Sequence, residues 1–470
     1  MITSHPKFAV VGHPNKGKSS IVSALALDDS VQVSNTPGTT TKKRSFPLSV
    51  DGKILYELFD TPGFQRARRV LAWLHQHDVR ADKRPDIVRA FINQYRYDER
   101  FNDEIELLEP IMQGAGIIYV VDGSKPYGAE YEAEMEILRW TGQPSMALIN
   151  HIDSSDYSDE WDRALGQYFK MVRKFNPMRA TFSQHLGILE SMAQLKEEWI
   201  DDVKISIDLF KKQNNQKIER SASLIAKLLY QSISLVDRLS IEDEEATKDE
   251  KAKIESKYKD SLRELEIKTQ EGIKEIWKHK RLKIEQNILP FNGLDLFSKE
   301  TASIFGLTKK ELMVMGITSG AVTGATIDLL FVGHTFFIGG AIGAVVGGTG
   351  AYFGFDELSE IQILGTTLGK RDLEIGPMKN KNFPFILIGR ALYHTSKIAN
   401  RSHASREDID IDIHIDLESV FKNKWLTNDE IRDNLEKYHK KFRQPKDIEP
   451  EILKEYDGLI KSVLVGLINS

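Results

Sequence analysis

Eight residues near the start of the chain have the types and spacing of a phosphate-binding loop. Residues 12–19 fit the pattern G-x-x-x-x-G-K-[ST]; an apolar run precedes them and a helical pattern follows from Ser20. In such a loop, backbone N–H groups and the start of the next helix bind the α- and β-phosphates of a nucleotide. Lys18 would neutralise charge on the β- and γ-phosphates, and the Ser19 hydroxyl would be a ligand for Mg²⁺.

Two further segments carry groups that a bound nucleotide and its metal ion need. Asp60 and Gly63 follow an apolar run that predicts a strand. A carboxylate at that strand end can hold Mg²⁺ through water, and the Gly63 amide can reach a γ-phosphate. Thr40 lies between the first predicted helix and the second predicted strand, where its hydroxyl can complete the shell of Mg²⁺ ligands.

A third segment favours guanine as the base. Asn150 and Asp153 follow a predicted strand at 147–150. A carboxylate placed there can accept hydrogen bonds from both N1–H and the 2-amino group of guanine, whereas adenine offers no such pair of donors; the segment therefore favours GTP over ATP. Ser183 and Gln184 come at the end of the last predicted strand, 178–183, and could close the base pocket through backbone amides.

In this order the segments resemble the Era-like branch of the translation-factor-related GTPases, over residues 5 to about 200. The resemblance implies a Mg²⁺-dependent domain that alternates between GTP and GDP states through two switch segments, here about 30–43 and 61–80. It implies catalytic roles for Lys18, Thr40 and Gly63. By position, the nucleotide-binding residues would be Asn15, Lys16, Gly17, Lys18, Ser19, Ser20, Asn150, His151, Asp153, Ser183 and Gln184, and the metal-binding residues Ser19, Thr40, Asp60 and Asn15.

Several positions depart from the pattern of that family or refine its mechanism. Phe64 follows Gly63 at the position where many small GTPases have the glutamine that orients the attacking water, so intrinsic hydrolysis is expected to be slow. Asn15 belongs to a Pro-Asn variant of the loop that resembles Era-like members recruiting K⁺ beside the phosphates. Stimulation by K⁺ is therefore a hypothesis, and a local cap of the loop is its alternative. His151 and Gln184 replace the usual Lys and Ala, which predicts weakened guanine binding.

Around these segments, short strand-like runs alternate with amphipathic helices. Strands are predicted at 7–12, 45–50, 54–60, 116–122, 147–150 and 178–183. The alternation is typical of an α/β P-loop G domain with a mainly parallel, doubly wound sheet, followed here by a mostly α-helical C-terminal domain. We expect a GTP-binding domain at 1–200 with a helical insertion at about 65–113, a charged helical or coiled-coil region at 201–300, and a C-terminal domain at 301–470 that includes a strand at 383–389.

The insertion contains two amphipathic helical patterns. We interpret it as an additional packing element. The alternatives are a segment that moves with the nucleotide state and contacts a partner, or one in which Arg66 acts as an internal arginine finger.

Composition limits the remaining classes of function. The chain has 470 residues, 41% of them hydrophobic and 28% charged, with a net charge of −5. The absence of cysteine excludes disulfides, thiolate metal sites and cysteine catalysis. The charge gives no overall attraction to nucleic acid, and direct nucleic-acid binding is not indicated. The N-terminal residues lack the apolar core of a signal peptide, which predicts a cytoplasmic protein.

A glycine-rich apolar stretch at 312–355 raises a second question. Gly316, Gly320 and Gly324 recur at four-residue spacing, as do Gly339 and Gly343, so one helix face could pack closely against another. We favour a helical hairpin buried inside a soluble domain; the alternative is a hairpin that contacts the inner membrane. This C-terminal region resembles an uncharacterised domain found after some bacterial Era-like GTPases.

The sequence thus predicts a GTPase that hydrolyses GTP to GDP and acts as a molecular switch. Its helical C-terminal domain would bind an unknown protein or ribosomal partner. The alternatives are a membrane-associated GTPase that uses the hairpin 312–355 and a GTP-binding scaffold with negligible turnover, which Phe64 keeps open.

Overall fold

A computed structural model describes residues 5–26, 44–50, 53–77, 79–243, 245–277, 296–297, 358–365, 371–400, 429–444 and 448–468. These residues form two compact units, the first comprising residues up to Gln213 together with Asn400 and the second beginning at Asn214. The division falls within one long helix, Ile200–Ser234. The expected division into three regions near residues 200 and 300 stays a prediction.

The first unit is built on a six-stranded sheet. Its strands are β1 (Lys7–Val11), β2 (Arg44–Val50), β3 (Lys53–Asp60), β4 (Gly116–Asp122), β5 (Ser145–Asn150) and β6 (Val172–Lys174). Its helices are α1 (Lys18–Ala26), α2 (Ala67–Leu74), α3 (Arg84–Tyr95), α4 (Asn102–Met112), α5 (Glu130–Trp140), α6 (Ser158–Leu165) and α7 (Phe182–Ala193), and α8 (Ile200–Ser234) begins in it. Short 3₁₀ turns lie at Ala81–Lys83, Glu99–Phe101 and Glu197–Trp199.

The strand order places the carboxyl ends of five strands along one edge. The order is β2-β3-β1-β4-β5-β6, with β2 antiparallel to β3 and all other pairs parallel. Val10 lies opposite Asp60, and Asp122 lies opposite Asn150. In open α/β sheets, ligands bind in the crevice outside the carboxyl ends of the strands. The predicted mainly parallel α/β domain is confirmed.

Apolar residues on both faces of the sheet hold the helices. Ala9 and Val11 join one hydrophobic cluster, whereas Phe8 and Val10 join the cluster on the opposite face. Successive side chains of a strand point to opposite faces, and all four are fully buried because helices cover both faces of the sheet. A strand covered on both faces needs apolar residues throughout, which explains the continuous apolar run at 8–11.

Helices α2, α3 and α4 occupy the stretch between β3 and β4 and fall within the predicted insertion at 65–113. Four aromatic side chains pack there: Trp73, Phe91, Tyr95 and Phe101. The ring centroids of Phe91 lie 5.3 Å from those of Trp73 and Phe101 and 4.9 Å from that of Tyr95. Aromatic pairs at such separations stabilise a core beyond their burial alone.

The last strand of this sheet lies earlier than the sequence predicted, and the prediction of a strand at 178–183 is wrong. The strand is β6, and Phe182 already begins α7. Thr181 Oγ1 accepts a hydrogen bond from the backbone N–H of Gln184, and the Gln184 side chain accepts one from the backbone N–H of Thr181. This capping box starts a helix where the apolar pattern suggested a strand.

The described part of the second unit is mostly helical, with one antiparallel sheet. Its helices are α9 (Lys248–Ile276), α10 (Phe383–Ala399), α11 (Asp429–Phe442) and α12 (Pro450–Ile468), and its strands are β7 (Asp237–Ile241), β8 (Ile361–Gly365) and β9 (Arg371–Ile375), in the order β7-β9-β8. On α9, Ile254, Tyr258 and Leu262 are buried at four-residue spacing, as expected for one apolar face of a helix. The predicted helical C-terminal region is confirmed.

The expected strand at 383–389 is also wrong, since these residues begin α10. Every residue from Phe383 to Thr395 is buried, so the apolar run shows no helical period and reads equally well as a buried strand. The Asn380 side chain accepts hydrogen bonds from the backbone N–H groups of Asn382 and Phe383, both at 2.9 Å, and so provides an acceptor for the first N–H of the helix, which has no partner within it.

The glycine-rich stretch 312–355 lies outside the described residues, and so do the switch segment 30–43 and Thr40. Among the helices that are described, none combines the length and the apolar character needed to cross a membrane.

Candidate functional site

The phosphate-binding loop lies at the carboxyl end of β1 and has an unusual backbone. Gly12, Asn15 and Gly17 have φ values of 143°, 61° and 85°. A Cβ at position 12 would lie 2.4 Å from the carbonyl oxygen of Val120, so only glycine fits. Asn15 is exposed, and asparagine is one of the few residues besides glycine that visit this conformation. The loop leads into α1, whose first turn has N–H groups that can bind an anion.

Lys18 folds back over this loop. Its Nζ donates hydrogen bonds to the carbonyl oxygens of Gly12, at 3.2 Å, and His13, at 3.0 Å, and the side chain is buried. Burial lowers the pKa of the Lys18 ammonium to about 8, although the nearby carboxylates of Asp60 and Glu134 oppose this shift. The lowered pKa means that these carboxylates do not fully offset the loss of water around the ammonium, so binding of an anion beside it would be favourable.

Ser19 and Asp60 form an oxygen pair beside Lys18. The Ser19 hydroxyl donates to Asp60 Oδ2 at 2.7 Å, and the Asp60 side chain is buried at the end of β3. A hydroxyl and a carboxylate are hard oxygen donors of the kind that Mg²⁺ prefers, so these residues fit the ion that the loop pattern implies. Ser20 is half-buried on α1. The structure therefore brings two of the predicted metal-binding residues together.

The loop after β3 packs directly against the phosphate-binding loop. The backbone N–H of Phe64 donates to the carbonyl oxygen of Gly12 at 3.3 Å. A Cβ added to Gly63 would lie 2.5 Å from the backbone nitrogen of Pro14, so no larger residue fits without movement. The Phe64 side chain is buried in the core and presents no polar group to this site.

Glu104 on α4 binds the same loop from the insertion, and sequence reasoning missed it. Its Oε1 accepts hydrogen bonds from the backbone N–H groups of Gln65, at 2.9 Å, and Arg66, at 2.6 Å, and the side chain is fully buried. The Arg66 guanidinium donates to the carbonyl oxygen of Arg100. No spacing in the sequence relates position 104 to 65, because the contact depends on how α4 packs.

Asn150 joins the segment 150–157, which carries the predicted base-binding residues and is called the base-reading segment below, to the phosphate-binding loop. It ends β5 and is buried, and its Nδ2 donates to the carbonyl oxygen of Lys16 at 3.1 Å. A Cβ on Gly17 would lie 2.3 Å from that Nδ2, which explains the need for glycine there. The Lys16 ammonium lies 3.8 Å from Asp122 Oδ2 at the end of β4.

The other two residues of the predicted base site, His151 and Asp153, have different hydrogen-bond partners. The His151 Nε2 lies 2.9 Å from Ser158 Oγ and 3.1 Å from Asp156 Oδ1. Hydrogen bonds from Ser158 and His151 lower the pKa of the Asp156 carboxyl. Asp153 is exposed, and its Oδ2 accepts a hydrogen bond from Lys125 Nζ at 2.7 Å.

Ser183 and Gln184 lie on the first turn of α7, where the Gln184 side chain serves the capping box with Thr181. The base-reading segment is contacted instead by the loop that follows β6. Asn176 Nδ2 donates to the carbonyl oxygen of His151 at 3.1 Å. Sequence reasoning missed this residue because it placed the last strand too late in the chain.

A second buried carboxylate lies beside the phosphate-binding loop. Glu134 on α5 accepts a hydrogen bond from the Tyr119 hydroxyl at 2.9 Å and lies 2.8 Å from His13 Nδ1. Burial and Glu134 raise the pKa of Tyr119 well above its usual value. The sequence carried no signal for this group, since the residue lies 121 positions from His13.

Comparison with known proteins gives results for both parts of the chain. Residues 162–455 match the family described as "Domain of unknown function (DUF3482)", and residues 7–151 match the family described as "50S ribosome-binding GTPase". GTPase Der of Thermoanaerobacter sp. (strain X514) is 44% identical over 73 residues, 16% of this chain and 16% of the relative. GTPase Der of Bacillus thuringiensis (strain Al Hakam) is 40% identical over 91 residues, 18% of this chain and 21% of the relative.

The chain thus matches only about a fifth or less of the length of these relatives. A crystal structure of an Aquifex aeolicus Era variant bound to GDP and AlF₄⁻ aligns with 57% of this chain and 88% of its own, at 12% identity and a TM-score of 0.28. The first of the two matching families covers more than half of the 470 residues. The protein therefore belongs to the family of the domain of unknown function DUF3482, and its N-terminal part is an Era-like P-loop GTPase domain.

Proposed function

We propose that the protein binds GTP and GDP with Mg²⁺, hydrolyses GTP, and works as a molecular switch. The observation that carries this proposal is the convergence of separate segments at one edge of the sheet. The phosphate-binding loop touches the loop after β3 through Gly12 and Phe64, and it touches the end of β5 through Lys16 and Asn150. The residues proposed to bind the phosphates, the metal ion and the base would therefore lie on one connected set of loops.

Within this proposal, the buried Lys18 neutralises β- and γ-phosphate charge, and the loop from Asn15 to Ser20 binds phosphate through backbone N–H groups. Ser19 and Asp60 hold Mg²⁺, with Thr40 as a further ligand; the bound ion would neutralise charge that develops on the phosphates. The Gly63 amide would contact the γ-phosphate.

The base site in this proposal consists of Asn150, His151 and Asp153. The Asp153 carboxylate would accept hydrogen bonds from N1–H and the 2-amino group of guanine. The bond between Asn176 and His151 supports closure of the pocket by the loop at 175–178, in place of the amides of Ser183 and Gln184. Calorimetry with GDP and ADP tests the base preference. Binding of GDP at least about tenfold tighter than ADP supports the proposal, and equal binding overturns it.

We also propose slow intrinsic turnover and stimulation by K⁺. The buried Phe64 cannot orient an attacking water, and the exposed Asn15 on the phosphate-binding loop could support a monovalent cation that stabilises transition-state charge. Single-turnover hydrolysis in K⁺ and in Na⁺ buffers measures both points. Equal rates remove the K⁺ hypothesis, and a rate no faster than uncatalysed hydrolysis supports a GTP-binding scaffold instead.

For the C-terminal region, we propose binding of a protein or ribosomal partner in the cytoplasm. The description "50S ribosome-binding GTPase" belongs to the family that matches residues 7–151, and it supports the ribosome as the first partner of the whole protein to test. Membrane contact through 312–355 is the alternative. Cell fractionation of the full chain and of a chain lacking 312–355 separates the two, because a membrane role requires the full chain in the pellet and the shortened one in the supernatant.

A further inference from the structure

The base-reading segment has a histidine at the position where the Era-like GTPases that it resembles usually have lysine. That position is His151, and its ring is held away from the segment's end by Ser158 and Asp156. The ring also packs on Gly123, since a Cβ there would lie 3.1 Å from both Cε1 and Nε2 of His151. The histidine is thus fixed on the side of the β4–α5 loop.

A lysine from that same β4–α5 loop approaches Asp153. Lys125 Nζ lies 2.7 Å from Asp153 Oδ2, although the two residues are 28 positions apart. This hydrogen bond raises the pKa of Lys125. About half of each side chain is exposed, which leaves the carboxylate accessible to a ligand.

The backbone of Lys125 is held firmly. Its N–H donates to the carbonyl oxygen of Asp122 at 3.1 Å, and its own carbonyl oxygen accepts from the indole N–H of Trp161 at 2.8 Å. Trp161 is fully buried. A long exposed side chain on a fixed backbone loses less freedom when it pairs than one on a mobile loop.

The turn at 122–125, which carries Lys125, is joined to the base-reading segment by two backbone hydrogen bonds. Gly123 N–H donates to the Asn150 carbonyl oxygen at 2.6 Å, and Tyr157 N–H donates to the Gly123 carbonyl oxygen at 2.8 Å. Lys125 and Asp153 therefore keep their positions relative to each other through the main chain as well as through the ion pair.

We propose that Lys125 is a specificity-determining residue of the base site, which positions the Asp153 carboxylate for guanine from a separate loop; this inference rests on the proposed function. An ionised carboxylate offers about four acceptor directions, so one ammonium leaves room for N1–H and the 2-amino group of guanine. The hydrogen bond from the ammonium fixes the plane of the Asp153 carboxylate. Without it, the carboxylate would rotate and match the two guanine donors less well.

The test measures binding of GDP and IDP by calorimetry to the full chain and to Lys125→Met, which keeps the side-chain length and removes the charge. IDP lacks the 2-amino group and so reports on only one of the two hydrogen bonds. We expect the Kd for GDP to rise about two- to fivefold, the range for a half-exposed ion pair. We expect the Kd for IDP to rise less, so that the preference for GDP over IDP falls.

Two further variants separate positioning from a general structural effect. Adding His151→Lys to Lys125→Met places a cation on the base-reading segment itself and should restore part of the preference for GDP. Lys196→Met removes the cation of another exposed pair, Lys196 with Glu198 at 2.8 Å, and should leave both Kd values unchanged.

An unchanged preference, an equal loss for GDP and IDP, or tighter GDP binding after Lys125→Met would overturn the role of Lys125 alone; the last result would mean that the lysine obstructs the pocket. Absence of GDP binding by the unsubstituted chain would overturn the proposed function and this inference together.

Discussion

The side-chain amide of Asn150 donates a hydrogen bond to the carbonyl oxygen of Lys16, at 3.1 Å and across 134 positions of the chain. The contact links the end of β5 to the phosphate-binding loop. Gly17 permits it, because a Cβ there would overlap with the Asn150 amide. The base-reading and phosphate-binding segments are therefore coupled by one buried side chain. A substitution in either segment should affect ligand binding by the other.

Replacement of Asn150 by alanine should weaken both stability and nucleotide binding. The Lys16 carbonyl oxygen would lose its partner in a partly buried place, which costs about 1–3 kcal/mol in the free energy of unfolding. GDP affinity should fall by about tenfold or more, since each 1.4 kcal/mol of lost interaction is a factor of about ten. Urea unfolding and calorimetry measure the two effects.

The matched control for Asn150→Ala is Ser155→Ala, which lies exposed on the same segment. It should change neither unfolding nor affinity beyond error. If Asn150→Ala bound GDP as well as the unsubstituted chain, the link between the two loops would have no functional meaning.

A methyl group at Gly63 should separate nucleotide binding from hydrolysis. The added Cβ would lie 2.5 Å from the Pro14 nitrogen, so the loop after β3 must move away from the phosphate-binding loop. GDP has no γ-phosphate, and its Kd should stay within about threefold. GTP turnover should fall about 10- to 100-fold, the effect of displacing a positioning group by about 1 Å.

Gly187→Ala is the control for this substitution. It lies on α7, and no heavy atom comes within 4 Å of the added Cβ. Alanine is favoured over glycine within a helix by about 1 kcal/mol, so this variant should be at least as stable and equally active. An equal loss of GDP and GTP binding in Gly63→Ala would show that the loop is needed for folding rather than for the γ-phosphate.

Glu104 should be a large contributor to the stability of the loop after β3. Glu104→Ala would leave the N–H groups of Gln65 and Arg66 without their acceptor and open a cavity, at a cost of about 2–4 kcal/mol in the free energy of unfolding. Glu104→Gln keeps one acceptor oxygen and should cost less. Chemical denaturation measures both.

The comparison for Glu104 is Glu109→Ala on the same helix. The Glu109 carboxylate lies 3.6 Å from the Arg96 guanidinium in a partly exposed pair, which is worth about 1 kcal/mol or less. Equal destabilisation by Glu104→Ala and Glu109→Ala would contradict the role given to the buried contact.

Sequence reasoning was most successful where one loop carries several groups together. Lys18 and Ser19 come from a local pattern, and the contact of Ser19 with Asp60 follows once both are placed at strand ends of a parallel sheet. Helix and strand were confused at 383–389 because the run is buried on all sides, and amphipathic period is then absent. The capping box of Thr181 and Gln184 corresponds to a three-residue spacing in the sequence, which our sequence analysis did not use.

The partners supplied by other helices and loops could not be predicted. Four residues contact the site only because of how their elements pack: Glu104, Glu134, Asn176 and Lys125. Glu104 and Glu134 are charged residues on helices, which are otherwise expected to face solvent, and the other two lie in loops. Tertiary packing decides which of many similar charges is buried. No local pattern in the sequence shows which of these residues will contact the site.

Protonation of Lys18 should be coupled to nucleotide binding. Burial lowers the pKa of this ammonium from 10.5 to about 8 in the folded protein, so near pH 8 about half of the nucleotide-free molecules carry a neutral amine. Phosphates favour the charged form and would raise the pKa again. Binding of GDP should then take up about half a proton at pH 8, and affinity should decline towards about tenfold per pH unit above it.

The same shift has a consequence for folding with a defined sign. Because the folded protein holds this proton less tightly than the unfolded chain, the buried charge costs stability below pH 8, and the cost diminishes as the pH rises from about 8 to 10.5. Proton uptake is measured by calorimetry at pH 8 in two buffers that differ in their heats of ionisation. In Lys18→Arg the guanidinium cannot deprotonate, so this variant should bind GDP without proton uptake. It should also bind GDP more weakly, because the planar guanidinium does not replace a compact ammonium at a buried site. Buffer-independent heats for the unsubstituted chain would mean that Asp60 and Glu134 keep Lys18 fully charged before the nucleotide arrives.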